Sequence, residues 1–149
     1  MVKDRVTAGF ISGIIAGIAM NIVDWIGFII GFHEERLLDW AAIAIYGHLP
    51  NTLAEIIFAQ MGQLFFAGFL GFILSVILLK LTSGNYLIKG LLFGLIAWFA
   101  LYAISIAIRL PSLEQHTLNT TISHFISSSV YGLLLTFTLN WFDKASFKV

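Results

Sequence analysis

Four long apolar runs dominate this chain, and they restrict its possible folds more than any other feature. The runs cover residues 6–32, 54–80, 87–109 and 119–141. Each reaches the roughly 20 residues that an α-helix needs to cross the hydrocarbon core of a bilayer. A water-facing helix would need a polar stripe, yet residues 64–74 contain no polar side chain. The sequence therefore predicts an all-α, polytopic four-transmembrane-helix bundle that forms a single integral membrane domain over residues 1–149.

Composition agrees with a membrane environment and excludes several classes of partner. Apolar residues make up 59% of the chain and charged residues only 11%, whereas about a quarter of the residues of soluble domains are charged. We therefore expect the lipid bilayer to surround the helices. The net charge of zero and the absence of a basic tract give no reason to expect a nucleic-acid partner. The chain has no cysteine, which excludes disulfides and thiolate metal sites.

The distribution of Lys and Arg predicts the orientation in the membrane. The two termini and the second connection hold six of these residues, and the first and third connections hold only Arg36 and Arg109. The six are Lys3, Arg5, Lys80, Lys89, Lys144 and Lys148. By the positive-inside rule we expect both termini and the turn at 82–85 to be cytoplasmic. The first apolar run is longer than the 7 to 15 residues, roughly, of a signal-peptide core, so we expect it to be retained.

A shorter apolar segment, residues 35–46, lies between the first two runs. With about a dozen residues it is too short to cross a bilayer. Arg36 and Asp39 are three residues apart, which places their side chains together on a helix, and Gly47 and Pro50 end the segment. We predict a short interfacial or re-entrant helix on the extracytoplasmic side.

Glycines at intervals of four residues predict close packing between the helices. Small residues at this spacing allow two backbones to approach each other. The predicted packing glycines are Gly9, Gly13, Gly17, Gly62, Gly71, Gly90 and Gly94. The glycines of the first and third helices, with Leu49-Pro50 resembling Leu110-Pro111, suggest a parallel two-helix repeat over 6–80 and 87–141. Matches this short also arise by chance, so both interpretations stay open.

Polar residues gather at one level of the predicted bundle. Helices one and three run outward and helices two and four run inward, so the outer part of every helix contributes to one extracytoplasmic layer. The residues of this layer are Asn21, Asp24, Glu55, Gln60, Gln63, Tyr102, Ser105, Arg109, His124 and Ser128. Ionisable groups at membrane depth are costly and normally have partners. We expect Asp24 to pair with Arg109 or His124, and Glu55 to pair with Arg109 or His48.

Three interpretations fit this layer: translocation of an ion or small solute, a scaffold function, and a purely structural role. Carboxylate and imidazole groups suit ion or proton exchange, which predicts a small ion, proton or small-solute translocating protein with an outward-facing polar vestibule. The inner half contains few polar side chains, such as Ser12 and Ser75, so a single subunit shows no continuous polar path to the cytoplasm. A homodimer could supply one. The alternative is a non-catalytic scaffold or accessory subunit that packs against another membrane protein. In the structural interpretation, the polar groups only form hydrogen bonds that join the helices of the bundle to one another.

Metal binding and catalysis are less favoured by the sequence. Imidazole and carboxylate suit zinc or iron, but no two histidines have the spacing of a recognised metal motif. His33 lies in a predicted turn, and His48 and His116 are expected to be solvated loop residues. We therefore predict no metal site and no cofactor. The chain lacks a Gly-x-Ser-x-Gly motif, a P-loop and a repeated acidic motif, so an enzyme is not favoured.

Several short motifs resemble those of a known group of membrane proteins. They are Gly13 to Gly17 followed by Asn21 and Asp24, then Leu38-Asp-Trp-Ala-Ala42, and then Leu53-Ala-Glu55 leading to Gln60 and Gly62-Gln63. With these motifs the chain resembles small four-span integral membrane proteins of spore-forming Gram-positive bacteria. The resemblance implies a location in the bacterial plasma membrane. It implies no activity, substrate or site.

Overall fold

The computed structural model describes residues 4–81, 84–109 and 116–145, and these residues form five α-helices. The helices are α1 (Arg5–Ile29), α2 (Leu37–Tyr46), α3 (Leu53–Ile77), α4 (Tyr86–Ala107) and α5 (Leu118–Ala145). The described residues contain no β-strand. All four long helices are long and apolar enough to cross a membrane. The predicted all-α bundle of four spans, with a short helix between the first two, is confirmed.

The end of α1 differs from the prediction because a glycine stops the helix early. The apolar run continues to Phe32, but α1 ends at Ile29. Gly31 has a φ of +73°, a conformation that a side chain would strain. The N–H of Phe32 donates to the Gly27 carbonyl at 2.9 Å, and the N–H of Gly31 donates to Phe28 at 3.0 Å. These two bonds form a Schellman motif, which turns the chain back towards the last turn of α1.

Polar side chains cap the first turns of three long helices. Asp4 caps α1, Thr52 caps α3 and Asn85 caps α4, and each side chain accepts a bond from a backbone N–H of the first turn. Such bonds satisfy donors that the helix itself leaves unpaired. The side chain and backbone of Thr7 both donate to Asp4 and hold the pKa of this carboxyl below its usual range. The charged form of Asp4 is therefore the better cap.

The long helices pack in the order α3, α1, α5, α4. Helix α1 contacts α3 on one side and α5 on the other, α4 packs on α5, and α2 packs on α3. Two hairpins, α1 with α3 and α4 with α5, are thus joined through α1 and α5. Helices α1 and α4 end, and α3 and α5 begin, at one end of the bundle. We call this the α2 end, because α2 lies there.

Glycines let both hairpins close tightly. A Cβ atom added at Gly13 would collide with the Ala67 carbonyl and lie 2.8 Å from the Gly68 Cα. In the second hairpin, a Cβ at Gly90 would collide with the carbonyl of Gly132. All seven predicted packing glycines lie against a neighbouring helix, Gly62 against Ile45 of α2. The repeat over 6–80 and 87–141 stays a prediction, and Leu110-Pro111 lies outside the described residues.

Polarity is inverted relative to a protein that folds in water. Large apolar side chains point outward, such as Ile96 and Phe99 on α4, which are 65% and 67% exposed. Hydroxyl side chains are enclosed, and Ser12, Ser75 and Thr136 have no exposed surface. This distribution suits a bundle whose outer surface contacts lipid.

Candidate functional site

Asp24 is completely enclosed near the C-terminal end of α1. Its Oδ2 atom accepts a hydrogen bond of 2.8 Å from the backbone N–H of Leu37, the first residue of α2. A carboxylate at a helix N-terminus is favoured because the N–H groups there carry partial positive charge. The other oxygen, Oδ1, is buried and has no hydrogen-bond partner among the described residues. One half of the carboxylate is therefore satisfied and the other half is not.

Two histidines flank the unpartnered oxygen. The Nε2 atom of His124 lies 3.5 Å from Asp24 Oδ1, and the Nε2 atom of His33 lies 3.7 Å from it. His124 has no exposed surface and His33 is 3% exposed. One ligand atom from each of the three residues lies within 4.8 Å of the other two. We call these three residues the Asp–His–His cluster.

Backbone carbonyls and a phenol hold the two imidazole rings. The Nδ1 atom of His33 lies 2.8 Å from the Glu35 carbonyl, and its Nε2 lies 3.0 Å from the Asp24 carbonyl. His124 places Nε2 3.1 Å from the same Glu35 carbonyl and Nδ1 2.8 Å from the Tyr102 hydroxyl. A carbonyl only accepts, so a ring nitrogen that bonds to the Asp24 or Glu35 carbonyl does so as a donor. The Glu35 carbonyl thus holds both rings in place.

The position of His33 follows from two glycines. Gly31 provides the left-handed turn that ends α1, and Gly27 leaves the space into which the ring folds. A Cβ atom at Gly27 would lie 2.8 Å from both Cδ2 and Nε2 of His33. His33 was predicted to lie in a turn and was not among the predicted site residues. The spacing of Gly27, Gly31 and His33 is the sequence signal that could have placed it against α1.

A second layer of aromatic and charged groups covers the cluster. The Nδ1 atom of His116 lies 2.9 Å from a carboxylate oxygen of Glu35, and the side chain of His116 is only 6% exposed. Its ring stacks on Trp40 at 5.0 Å, and Trp40 lies 4.7 Å from Tyr102. The expectation that His116 is solvated is wrong, because Trp40 and Glu35 enclose it. His48 is exposed, as expected.

Amide side chains join α1 to α3 one turn deeper in the bundle. Asn21 donates to the Gly17 carbonyl at 2.8 Å and to the Gln63 side-chain oxygen at 2.6 Å. Gln60 donates to the same Gln63 oxygen at 3.1 Å and accepts from the indole N–H of Trp25 at 3.3 Å. Interhelical hydrogen bonds of this kind stabilise membrane helix pairs. This ladder has an evident structural role.

Glu55 and Arg109 lie apart from the cluster. The carboxylate of Glu55 accepts a 2.6 Å bond from the backbone N–H of Asn51, at the start of α3. Arg109 is exposed and follows the end of α4 with a φ of +50°. Of the two partners expected for Asp24, His124 is therefore the one that lies beside it in the structure.

Ser105 and Ser128 serve contacts within and between helices. The Ser105 hydroxyl donates to the Tyr102 carbonyl of its own turn at 2.8 Å. Ser128 is buried on α5, where a Cβ atom added at Gly94 would collide with its carbonyl. Among the described residues, neither hydroxyl is hydrogen-bonded to the Asp–His–His cluster.

The Asp–His–His cluster is closed from the surroundings. Asp24 and His124 have no exposed surface, so they do not line the open vestibule that we expected. The segment before α2 and the first residue of α2 close it, because the Glu35 carbonyl bonds to His124 and the Leu37 N–H bonds to Asp24. An open groove between α1 and α3 is lined by Asn21 and Gln60 and does not include Asp24.

Further buried oxygens continue from the cluster into the bundle. Asn21 Oδ1, Ser127 Oγ and Ser12 Oγ are buried and lack hydrogen-bond partners among the described residues. Asn21 and Ser12 share α1 with Asp24, so at 1.5 Å per residue they lie about 4.5 and 18 Å below it. Buried polar atoms without partners are uncommon in folded proteins.

No protein-family model, curated protein or solved structure matches this chain.

Proposed function

We propose that this multi-pass membrane protein translocates a small cation and that the Asp–His–His cluster is its binding layer. The observation that carries the proposal is the unpartnered Asp24 oxygen, enclosed in a membrane-spanning helix. An ionisable group at this depth costs a few kcal/mol on insertion scales and is by default a sign of function.

A purely structural role accounts less well for this carboxylate. The amide ladder of Asn21, Gln60 and Gln63 already joins α1 to α3 at a neighbouring level. A buried acceptor without a partner costs about 1–3 kcal/mol relative to a satisfied one. If Asp24 served only to bond two helices, we would expect its Oδ1 atom to have a hydrogen-bond partner. A cation that binds this oxygen removes that cost.

The deeper oxygens support movement of the cation along α1 and α5. Asn21 Oδ1, Ser127 Oγ and Ser12 Oγ offer successive acceptors below Asp24. Ala16, Met20 and Leu135 are also buried on these helices and separate the acceptors. Translocation therefore requires a shift of α1 against α5. Entry at the α2 end requires the segment carrying Glu35 to move, since its carbonyl holds both imidazoles.

A scaffold function is the second candidate, and the exposed apolar face of α4 favours it. This helix packs on α5 at the edge of the bundle, and its outer face is apolar. The glycine stripes are already used between helices of the chain itself. A partner membrane protein would therefore bind the outer face of α4 rather than a glycine face.

Flux through reconstituted protein distinguishes the two functions. The protein, Asp24→Asn and the matched control Glu34→Gln would be inserted into vesicles loaded with fluorescent indicators for monovalent and divalent cations. Glu34 is exposed at the α2 end, so its replacement removes one negative charge outside the cluster. We expect flux from the wild type and Glu34→Gln, and at least a tenfold loss in Asp24→Asn. Equal flux in all three, or none above empty vesicles with folded protein, would contradict translocation.

A further inference from the structure

We infer that the cation of the Asp–His–His cluster is a divalent transition-metal ion, with Zn²⁺ the best fit to the three ligands. The ion would bind one carboxylate oxygen of Asp24 and the Nε2 atoms of His33 and His124. The inference rests on the proposed function, because it names the ion that the same layer takes.

The distances in the cluster are close to those of a metal site. Bonds from zinc to imidazole nitrogen and carboxylate oxygen are about 2.0 to 2.2 Å, so neighbouring ligand atoms of a tetrahedral site are about 3.3 to 3.5 Å apart. Asp24 Oδ1 lies 3.5 Å from one Nε2 and 3.7 Å from the other. The three ligand atoms all lie within 4.8 Å of one another. Small ring movements would bring all three atoms into coordination.

The unpartnered carboxylate oxygen is an independent sign of a ligand. Asp24 has no exposed surface, and Oδ1 accepts no hydrogen bond from any described residue. This is the oxygen that lies between the two imidazoles. Because Oδ2 is already bound to Leu37, a single oxygen is left for a metal ion. The free oxygen therefore lies where a three-ligand metal site needs its carboxylate ligand.

The second shell also has the form of a metal site. A histidine that binds metal through one nitrogen normally hydrogen-bonds through the other to a carbonyl or another polar group, which fixes the ring. The Nδ1 atoms of His33 and His124 lie 2.8 Å from the Glu35 carbonyl and the Tyr102 hydroxyl, respectively. Both Nε2 atoms face Asp24. Each ring would bind the metal as the neutral tautomer whose proton is on Nδ1, donated to the Glu35 carbonyl or the Tyr102 hydroxyl, and each Nε2 would exchange its carbonyl bond for a bond to the metal.

The ligand types select a class of cation. Sodium, calcium and magnesium favour sites made of oxygen atoms, whereas imidazole favours zinc, copper, iron and nickel. Two of the three ligands here are imidazoles. Arg36, the Lys or Arg residue nearest in sequence to this turn, is bound to Asp39 at 2.8 Å.

Cobalt absorption provides the test in detergent-purified protein stripped of metal by a chelator. Co²⁺ would be titrated while its visible absorption is recorded, and Zn²⁺ would then be added as a competitor. We expect one ion per chain and displacement by Zn²⁺. His33→Gln, His124→Gln and Asp24→Asn should each weaken binding at least tenfold. His48→Gln is the matched control, because it replaces an exposed histidine outside the cluster.

Two results would overturn the inference. One is a cobalt affinity that falls no more in His33→Gln and His124→Gln than in His48→Gln. The other is the absence of a cobalt band in wild-type protein whose circular dichroism shows it to be helical. If the variants fail to fold, X-ray absorption of the zinc-loaded wild type decides. Two imidazoles and one carboxylate support the inference, and any other set contradicts it.

The outcomes for translocation and for metal identity stay separate, because binding is measured without a membrane gradient. Metal binding without flux would overturn translocation and leave the metal site. Flux of another cation that Asp24→Asn abolishes, in protein that binds no cobalt, would overturn the metal site and leave translocation.

Discussion

At the residue scale, Asp24 connects three parts of the chain. It belongs to α1, its Oδ2 atom accepts from the first N–H of α2, and its Oδ1 atom faces His124 on α5. The side chain has no exposed surface. A replacement of Asp24 therefore affects stability through Oδ2 and function through Oδ1, and the two effects can be measured separately.

Replacing Asp24 by Leu and by Asn separates the two roles. Leu leaves the part-buried Leu37 N–H without an acceptor, which we expect to lower the free energy of unfolding by about 1–3 kcal/mol relative to Asn. Asn keeps an oxygen for that N–H and should be closer to the wild type in stability. Both variants should lose cation flux. Equilibrium unfolding in detergent measures the stability, and equal losses in the two variants would show that the charge itself stabilises the fold.

Gly27 tests how His33 is positioned. We expect Gly27→Ala to displace the His33 ring, because the added Cβ would lie 2.8 Å from Cδ2 and Nε2. Gly62→Ala is the matched control, since its Cβ meets only the flexible end of Ile45 at 3.0 Å. Modification by diethyl pyrocarbonate, located by mass spectrometry, should increase at His33 in Gly27→Ala alone. Equal protection in both variants would contradict the role given to Gly27.

At the element scale, α1 is the centre of the bundle and α2 is fastened to its end. The Arg36 guanidinium makes two bonds to Asp39, at 2.8 and 3.1 Å, as its i,i+3 spacing predicts. It also lies 5.0 Å from the Trp25 ring and 4.8 Å from the Phe28 ring of α1. Together with the Asp24 bond, these contacts hold the start of α2 over the cluster.

Close packing of α1 on α3 depends on glycine at one contact point. In Gly13→Ala the new Cβ would meet the backbone of Ala67 and Gly68, which cannot move without the whole helix. We expect overpacking to cost about 1–3 kcal/mol. At Gly84 an added Cβ meets no atom of the described residues within 4 Å, apart from its chain neighbours, so we expect Gly84→Ala to change stability little. Equilibrium unfolding of both variants in the same detergent measures the difference. Equal free energies of unfolding for Gly13→Ala and Gly84→Ala would contradict this account.

At the scale of the whole molecule, the helices form a row that has apolar outer surfaces and an enclosed polar layer at the α2 end. This arrangement gives a binding layer without a wide pore. The side of the membrane on which the α2 end lies decides whether the cluster is reached from outside or from inside.

Accessibility of introduced cysteines tests the orientation. The chain has no cysteine, so each single replacement gives an unambiguous signal. The positive-inside rule predicts that Glu34→Cys, at the α2 end, reacts with an impermeant thiol reagent on intact cells. Lys80→Cys, at the opposite end, should react only after the membrane is permeabilised. Both positions are exposed in the structure. The reverse pattern would place the α2 end in the cytoplasm.

The sequence alone determined the spans and the short helix to within a few residues. A helix in a bilayer satisfies its own backbone hydrogen bonds, so apolar length is enough to predict it. The Arg36 to Asp39 pair was predictable for a similar reason, because its partners are one turn apart.

Only the tertiary structure decided which polar residues meet. His33 joins Asp24 because one glycine turn reverses the chain, and His116 is enclosed because Glu35 and Trp40 cover it. Glu55 was expected in the same layer but bonds to its own helix start. The rotation of each helix about its axis and the folding of the connections depend on packing between distant segments, which hydropathy does not encode.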